Sequence, residues 1–192
     1  MLKLQKSKDK KQALLKATLL LVNDAGFQGA SMAKVAKVAN VSPATIYLYF
    51  ENKQDLINQL YLNVKEEFSK SAFNGIDMDQ PVKKIFEQIW FNIADFKFNE
   101  VEEAQFLSQC DNTPLVDEAC RAEGLNHLQP LLDLWLRGQE EGIIKPLSPY
   151  VLYAFTIYPM AFLMNKQTKS HCPSDTIKLK ETFQAAWDSI KV

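Results

Sequence analysis

The chain has 192 residues, enough for one or two domains, and with 47% hydrophobic residues it can bury a substantial core. Three cysteines, Cys110, Cys120 and Cys172, are an odd number at no framework spacing, which argues against a disulfide scaffold and for the reducing cytoplasm. The net charge of −1 hides an asymmetry: residues 1–60 hold nine lysines and four acids, for +5, while the remainder carries −6. A basic head on an acidic body directs a polyanion toward the N-terminal part of the chain.

In chain order, Met1-Leu2-Lys3-Leu4 is followed by lysines and not by an apolar run, so no secretory signal is expected. The stretch from Lys3 to Lys11 reads as a basic arm able to reach phosphates or an adjacent groove. An amphipathic helix is expected from Lys11 to Ala25, ended by Gly26. Two short helices follow within Ser31 to Phe50. Ser31 reads as the N-cap of the first, and Met32, Val35, Ala36 and Ala39 recur at helical spacing on its buried face. Lys34 and Lys37 fall on the other face. Asn40 stands at the turn, where a residue tolerating positive φ is needed. Ser42 caps the second helix, with Pro43 at its first position, where a missing N–H costs nothing. Ile46 and Phe50 face the core. This is a helix-turn-helix, a shape that fits the DNA major groove.

The side chains of the second helix suit that role. Ser42, Pro43 and Ala44 are short enough for close approach to base edges. Thr45 offers a hydroxyl and a methyl, and Tyr47 and Tyr49 carry hydroxyls that reach phosphate oxygens. Asn52 caps a third helix, with Asp55 in capping-box position. Its first-turn N–H groups and Lys53 form a phosphate clamp. Ser31 and Lys34 complete the DNA-contact set: Ser31, Lys34, Ser42, Pro43, Ala44, Thr45, Tyr47, Tyr49 and Lys53.

At these residues the chain resembles the TetR/AcrR family of bacterial transcriptional regulators. The match runs from about Gln12 to Leu60. It rests on Ala25-Gly26-Phe27, Val41-Ser42, Thr45, Ile46, Tyr47, Tyr49, Phe50, Lys53 and Asp55-Leu56. Three positions depart from the family pattern. Asn40 replaces a usual glycine, Ala33 a frequent polar DNA contact, and Leu48 a frequent aromatic or histidine.

Beyond the head, helices are expected from Lys53 to about Ser71, Pro81 to about Phe98, Glu100 to Cys110, Leu125 to Glu141, Pro149 to Met164 and Ser174 to Ile190. A loop falls at 73–77. Thr113-Pro114 and Ser148-Pro149 each read as a hydroxyl-plus-proline helix start. No strand alternation is sustained anywhere, so the fold class is all-α. An N-terminal three-helix helix-turn-helix domain (1–52) is joined by a connecting helix (53–72) to a helical domain (73–192).

The resemblance implies that the last domain binds an effector and dimerises through its last two helices. Its aromatic and apolar side chains suit a flat, apolar ligand. The pocket candidates are Phe86, Trp90, Phe91, Phe106, Cys110, Leu131, Trp135, Tyr153 and Tyr158, against the plainer reading of core packing. The uncharged Tyr150–Met164 run fits an obligate interface better than a membrane span. His127 and His171 form no zinc pattern and no nucleophile–base pair with Cys120 or Cys172, and no glycine-rich phosphate loop exists. No enzyme, metal or cofactor is therefore expected. The implied function is a cytoplasmic homodimeric repressor released from a palindromic double-stranded operator by a small apolar effector. The alternatives are a cysteine redox-sensing regulator and a helical ligand-binding module without a DNA role.

Overall fold

The computed structural model describes residues 2–164 and 178–192. Its helices, in chain order, are α1 (Leu2–Gly29), α2 (Met32–Val38), α3 (Pro43–Ile46), α4 (Lys53–Ala72), α5 (Val82–Asn99), α6 (Val101–Asn112), α7 (Glu118–Asn126), α8 (Gln129–Glu140), α9 (Pro149–Thr156), α10 (Tyr158–Met164) and α11 (Leu179–Ile190). The described residues contain no β-strand, only an isolated antiparallel bridge between Ile144 and Lys191. They fall into two compact units. One comprises 1–65 and 105–124, the other 66–104 and 125–192.

In the first unit, α1 buries Leu14, Leu15, Leu19 and Val22 at helical spacing. The helix extends to Leu2, so the lysine-rich start expected as an arm is helical. Gly26 interrupts it with φ 68°, ψ 176°, a left-handed φ that glycine adopts without strain. Val35 and Ala36 of α2, Ile46 of α3, Phe50, and Leu56, Ile57 and Leu60 of α4 complete this core. The segment 105–124, expected in the body, packs here instead. Gln109 Nε2 donates to Asn23 Oδ1 at 2.9 Å, Asn58 Nδ2 to Asp117 Oδ2 at 2.7 Å, and Gln54 Nε2 to the Leu115 carbonyl at 3.0 Å.

In the second unit, α5 presents Val82, Ile85, Phe86, Ile89, Trp90 and Ile93, a stripe at the spacing of a half-buried helix. It packs on α8, α10 and α11. A Cβ on Gly138 of α8 would lie 2.6 Å from Ile144 Cδ1, so only glycine permits this approach. At the C-terminus, Lys145 N–H donates to the Ile190 carbonyl at 2.8 Å and Val192 N–H to the Ile143 carbonyl at 3.0 Å, tying the chain end to the loop after α8.

Three expectations need correction. Thr113-Pro114 starts no helix: Thr113 Oγ1 donates back to the Gln109 carbonyl at 2.6 Å, closing α6, and α7 begins only at Glu118. The expected Leu125–Glu141 helix is two, broken after Asn126. Asn126 ends α7, and α8 starts at Gln129 with Pro130 in its first turn, where the absent N–H is harmless. The Pro149–Met164 helix is broken at Ile157, because Pro159 has no N–H to continue the ladder. The start of the last helix at Ser174, with His171 and Cys172, lies outside the described residues.

Candidate DNA interface

Two capped helices and a left-handed turn build the interface. Ser31 Oγ accepts the Lys34 N–H at 3.3 Å and Ser42 Oγ accepts the Thr45 N–H at 3.2 Å, so each serine satisfies a first-turn donor. Between them Asn40 adopts φ 54°. The Val41 N–H donates to the Ala36 carbonyl at 2.9 Å, closing the end of α2. Ser42 Oγ and Thr45 Oγ1 also share a hydrogen bond at 2.8 Å, which fixes the threonine rotamer at the start of α3.

After Ile46 the helix tightens. The Leu48 and Tyr49 N–H groups donate to Thr45 and Ile46 carbonyls, three residues back and 3.1 Å away in each case. Ile46 and Phe50 stay buried while Tyr47 and Leu48 turn outward, 60% and 80% exposed. Ser31, Ala33, Lys34, Ser42, Pro43 and Ala44 are exposed as well, and Thr45 is half-buried. All belong to the first unit.

Two of the expected contacts are already engaged. The Tyr49 hydroxyl lies 3.2 Å from Ser7 Oγ, so the lysine-rich start of α1 reaches the end of the recognition element. Ser7 was not singled out from the sequence, where it is one polar residue in a lysine run. Lys53 places its Nζ 4.0 Å from the centre of the Phe27 ring, a cation–π contact. Partial burial lowers its pKa from the ordinary lysine value. Asn52 Oδ1 accepts the Asp55 N–H at 2.9 Å, capping α4. Asp55 Oδ2 accepts from the N–H of Glu51, one residue earlier than the capping-box pattern places it.

The expected pocket residues divide between the units. Phe106 and Cys110 are fully buried in the first. Phe86, Trp90, Leu131 and Trp135 are buried in the second, where Phe91 and Tyr153 are half-buried and Tyr158 is 41% exposed. Phe86 packs against Trp135, Phe183 and Trp187 with ring centres 6.0–6.3 Å apart, and Trp90 meets Phe91 edge-on at 5.4 Å. Trp90 Nε1 donates to the Thr156 carbonyl at 2.9 Å. Trp135 Nε1 is buried with no hydrogen-bond partner, a donor held inside an apolar cluster. A separate recess of about 400 Å³ in this unit is lined by Glu67, Ser71, Asp95, Phe96, Asn99 and Glu100, and none of the expected pocket residues borders it. Burial raises the Cys110 thiol to about 12 and the Cys120 thiol to about 11, so both stay protonated at neutral pH. Protonated thiols are poor nucleophiles, and this pair gives redox control no support.

A basic helix-turn-helix on an all-α chain defines a DNA-binding transcriptional regulator. Residues 14–60 match the model described as "Bacterial regulatory proteins, tetR family", and residues 81–191 that of the "Tetracyclin repressor-like, C-terminal domain". The chain belongs to the TetR family, whose members are transcriptional regulators and not enzymes. It is 29% identical over 154 residues to an HTH-type transcriptional regulator of Haemophilus influenzae, covering 80% of each chain. It is 27% identical over 178 residues to the HTH-type transcriptional regulator YhgD of Bacillus subtilis, covering 91% of each. A crystal structure of a TetR family regulator from Marinobacter aquaeolei shares the fold, with TM-score 0.86, 23% identity, and 97% and 98% of the two chains covered.

Proposed function

We propose that the protein is a cytoplasmic homodimeric repressor that leaves a palindromic operator when a small, largely apolar effector binds. The observation that carries the DNA reading is the outward face of α3, where Ser42, Pro43, Ala44, Tyr47 and Leu48 stand exposed beside Thr45 on a head of net positive charge. Thr45 and the short side chains take base edges, while Tyr47, Tyr49 and Lys53 take phosphates, with Ser31 and Lys34 flanking them. Leu48 occupies a position where an aromatic residue or histidine is common. Its exposed methyls suit a thymine methyl or a sugar face.

Dimerisation is supported by the α9–α10 surface. Tyr150, Phe155, Tyr158 and Phe162 are 78%, 58%, 41% and 65% exposed on consecutive turns without a charged residue among them. Such a patch is costly to leave in water and fits a second copy related by a two-fold axis. Two copies place two recognition helices about one turn of DNA apart, about 34–36 Å. The effector reading is supported by the aromatic cluster of the second unit and its orphan Trp135 N–H. An effector that prefers one dimer conformation by a few kcal/mol shifts the population away from the DNA-competent spacing.

Footprinting of the purified protein on the intergenic DNA beside its own gene tests the reading. The expected result is a protected palindrome, with affinity falling steeply as salt rises. Binding confined to random duplex, or operator affinity unchanged by every compound that occupies the second unit, would overturn it.

A further inference from the structure

The start of α1 lies ahead of the core. Among the described side chains of that helix Leu14 is the first that is buried, so Ser7 stands about two turns before it. Such an overhang gains little from core burial, and a short solvated helix is marginal in water. Its partner is the recognition element. The Ser7 hydroxyl lies 3.2 Å from the Tyr49 hydroxyl, and the Lys11 ammonium 5.9 Å from the centre of the Phe50 ring. Ser7 and Lys11 are one turn apart on one face, so that face is laid against the residues that follow α3.

The charges around this face are sorted. Residues 1–11 hold five lysines and one acid, Asp9. At about 100° per residue, Lys8 and Lys10 flank the Ser7–Lys11 face, each about 80° from its midline, and Asp9 falls about 180° away. Residues 7–10 are exposed. The overhang therefore carries its cations beside the recognition element and its carboxylate on the far side. A hydroxyl donates and accepts at once, so Tyr49 can accept from Ser7 and keep its own proton for a phosphate. The Ser7–Tyr49 hydrogen bond makes this basic surface continuous with the exposed face of α3, and its charge is complementary to a nucleic-acid backbone.

We propose that the α1 overhang is a second DNA-docking element: Lys8 and Lys10 bind phosphates at the edge of the groove that α3 reads, and Ser7, bonded to Tyr49, positions them. The overhang is a fixed helix and not a loose arm, so its lysines are in place before DNA arrives. A lysine meets a phosphate as a point charge and touches no base edge there, so the contact adds affinity without adding sequence preference. It deepens the DNA reading proposed above and rests on it.

Lys8→Ala, Lys10→Ala and a control, Lys16→Ala, are compared in the full-length protein. Lys16 is exposed on the same helix, about 160° from the Ser7–Lys11 midline. Fluorescence anisotropy follows binding to the intergenic DNA beside the gene and to a random duplex across a salt series. Lys8→Ala and Lys10→Ala should each lower the slope of log affinity against log salt by about 1 on both duplexes, and Lys16→Ala should leave it unchanged. Ser7→Ala should weaken binding about threefold, while Ser7→Thr, which keeps the hydroxyl, should not. Circular dichroism checks that every variant folds. Slopes that Lys8→Ala and Lys10→Ala change no more than Lys16→Ala does would sink the docking element. Ser7→Ala binding as tightly as the parent, or Ser7→Thr binding as weakly as Ser7→Ala, would remove the positioning role of Ser7. A parent that binds neither duplex counts against the DNA reading itself, whereas a parent that binds both without help from Lys8 and Lys10 leaves that reading standing and overturns the overhang alone.

Discussion

Tyr47 and Lys53 mark two ways of presenting a phosphate contact. Tyr47 is exposed, whereas Lys53 is held over the Phe27 ring, its position set before DNA arrives. Tyr47→Ala should therefore weaken operator binding about tenfold without changing the helical circular dichroism signal. Lys53→Ala should lower affinity for all sequences alike and reduce the slope of log affinity against log salt by about 1, read by fluorescence anisotropy across a salt series. Lys65 shows the opposite use of a lysine. Burial lowers its pKa, with Arg121 adding to the shift and Asp111 and Cys110 opposing it; Tyr61 is the remaining titratable neighbour. Between that lowered value and the ordinary value of about 10.4, the unfolded chain binds more protons, so this lysine's penalty is full below the lowered value and fades as pH rises toward the ordinary one. Lys65→Met should be more stable than the parent in urea melts at about pH 7, by a margin that shrinks at about pH 9.5. The lysine periodicity of the head was legible because surface charge follows the chain directly. The burial of Lys65 was not, since it depends on α6 and α7 packing in the same unit as its helix.

Among the elements, the α9–α10 break shows what a proline does when a partner is ready for the exposed carbonyl. The Met160 N–H turns to Ile157 at 3.2 Å and leaves the Thr156 carbonyl free for Trp90 Nε1, 66 residues earlier in the chain. Trp90→Phe keeps most of the packing but leaves that carbonyl buried and unpaired. It should cost about 1–3 kcal/mol, measured as a lowered urea midpoint. The helix expected from Pro149 to Met164 runs straight through Pro159, and the indole that accommodates the break was not legible either, because the pairing is long-range. The local signals fared best: Asn40 at positive φ and the Ser42-Pro43 cap depend on neighbours a few residues away. Thr113-Pro114 carries the same hydroxyl-plus-proline pattern as Ser148-Pro149, yet its hydroxyl closes the helix behind it where Ser148 caps the one ahead. Nothing in the dipeptide distinguishes the two; the direction of the hydrogen bond is decided by which helix the surrounding packing continues.

At the scale of the molecule, the uncharged α9–α10 face leaves Tyr150, Phe155 and Phe162 largely exposed in a single chain. Phe155→Arg, at a position 58% exposed, should leave the monomer folded but shift the proposed dimer to monomers in sedimentation. Operator affinity should fall with it, by about tenfold or more, since one half-site then binds without its twin. The aromatic richness of the chain was legible from composition, but not its distribution. Phe86, Trp90, Phe91 and Trp135 close upon Phe183 and Trp187, while Phe106 and Cys110 belong to the other unit, and periodicity gives a helix its inner face without saying what that face meets. This distribution has an optical consequence. Trp90, Trp135 and Trp187 are the chain's three tryptophans, and all lie in the second unit, one indole bonded to a carbonyl and one bonded to nothing. Selective excitation at the red edge of the protein's absorption therefore illuminates that unit alone. Any spectral change on adding operator DNA would be a signal carried from the reading head to chromophores that never touch the nucleic acid.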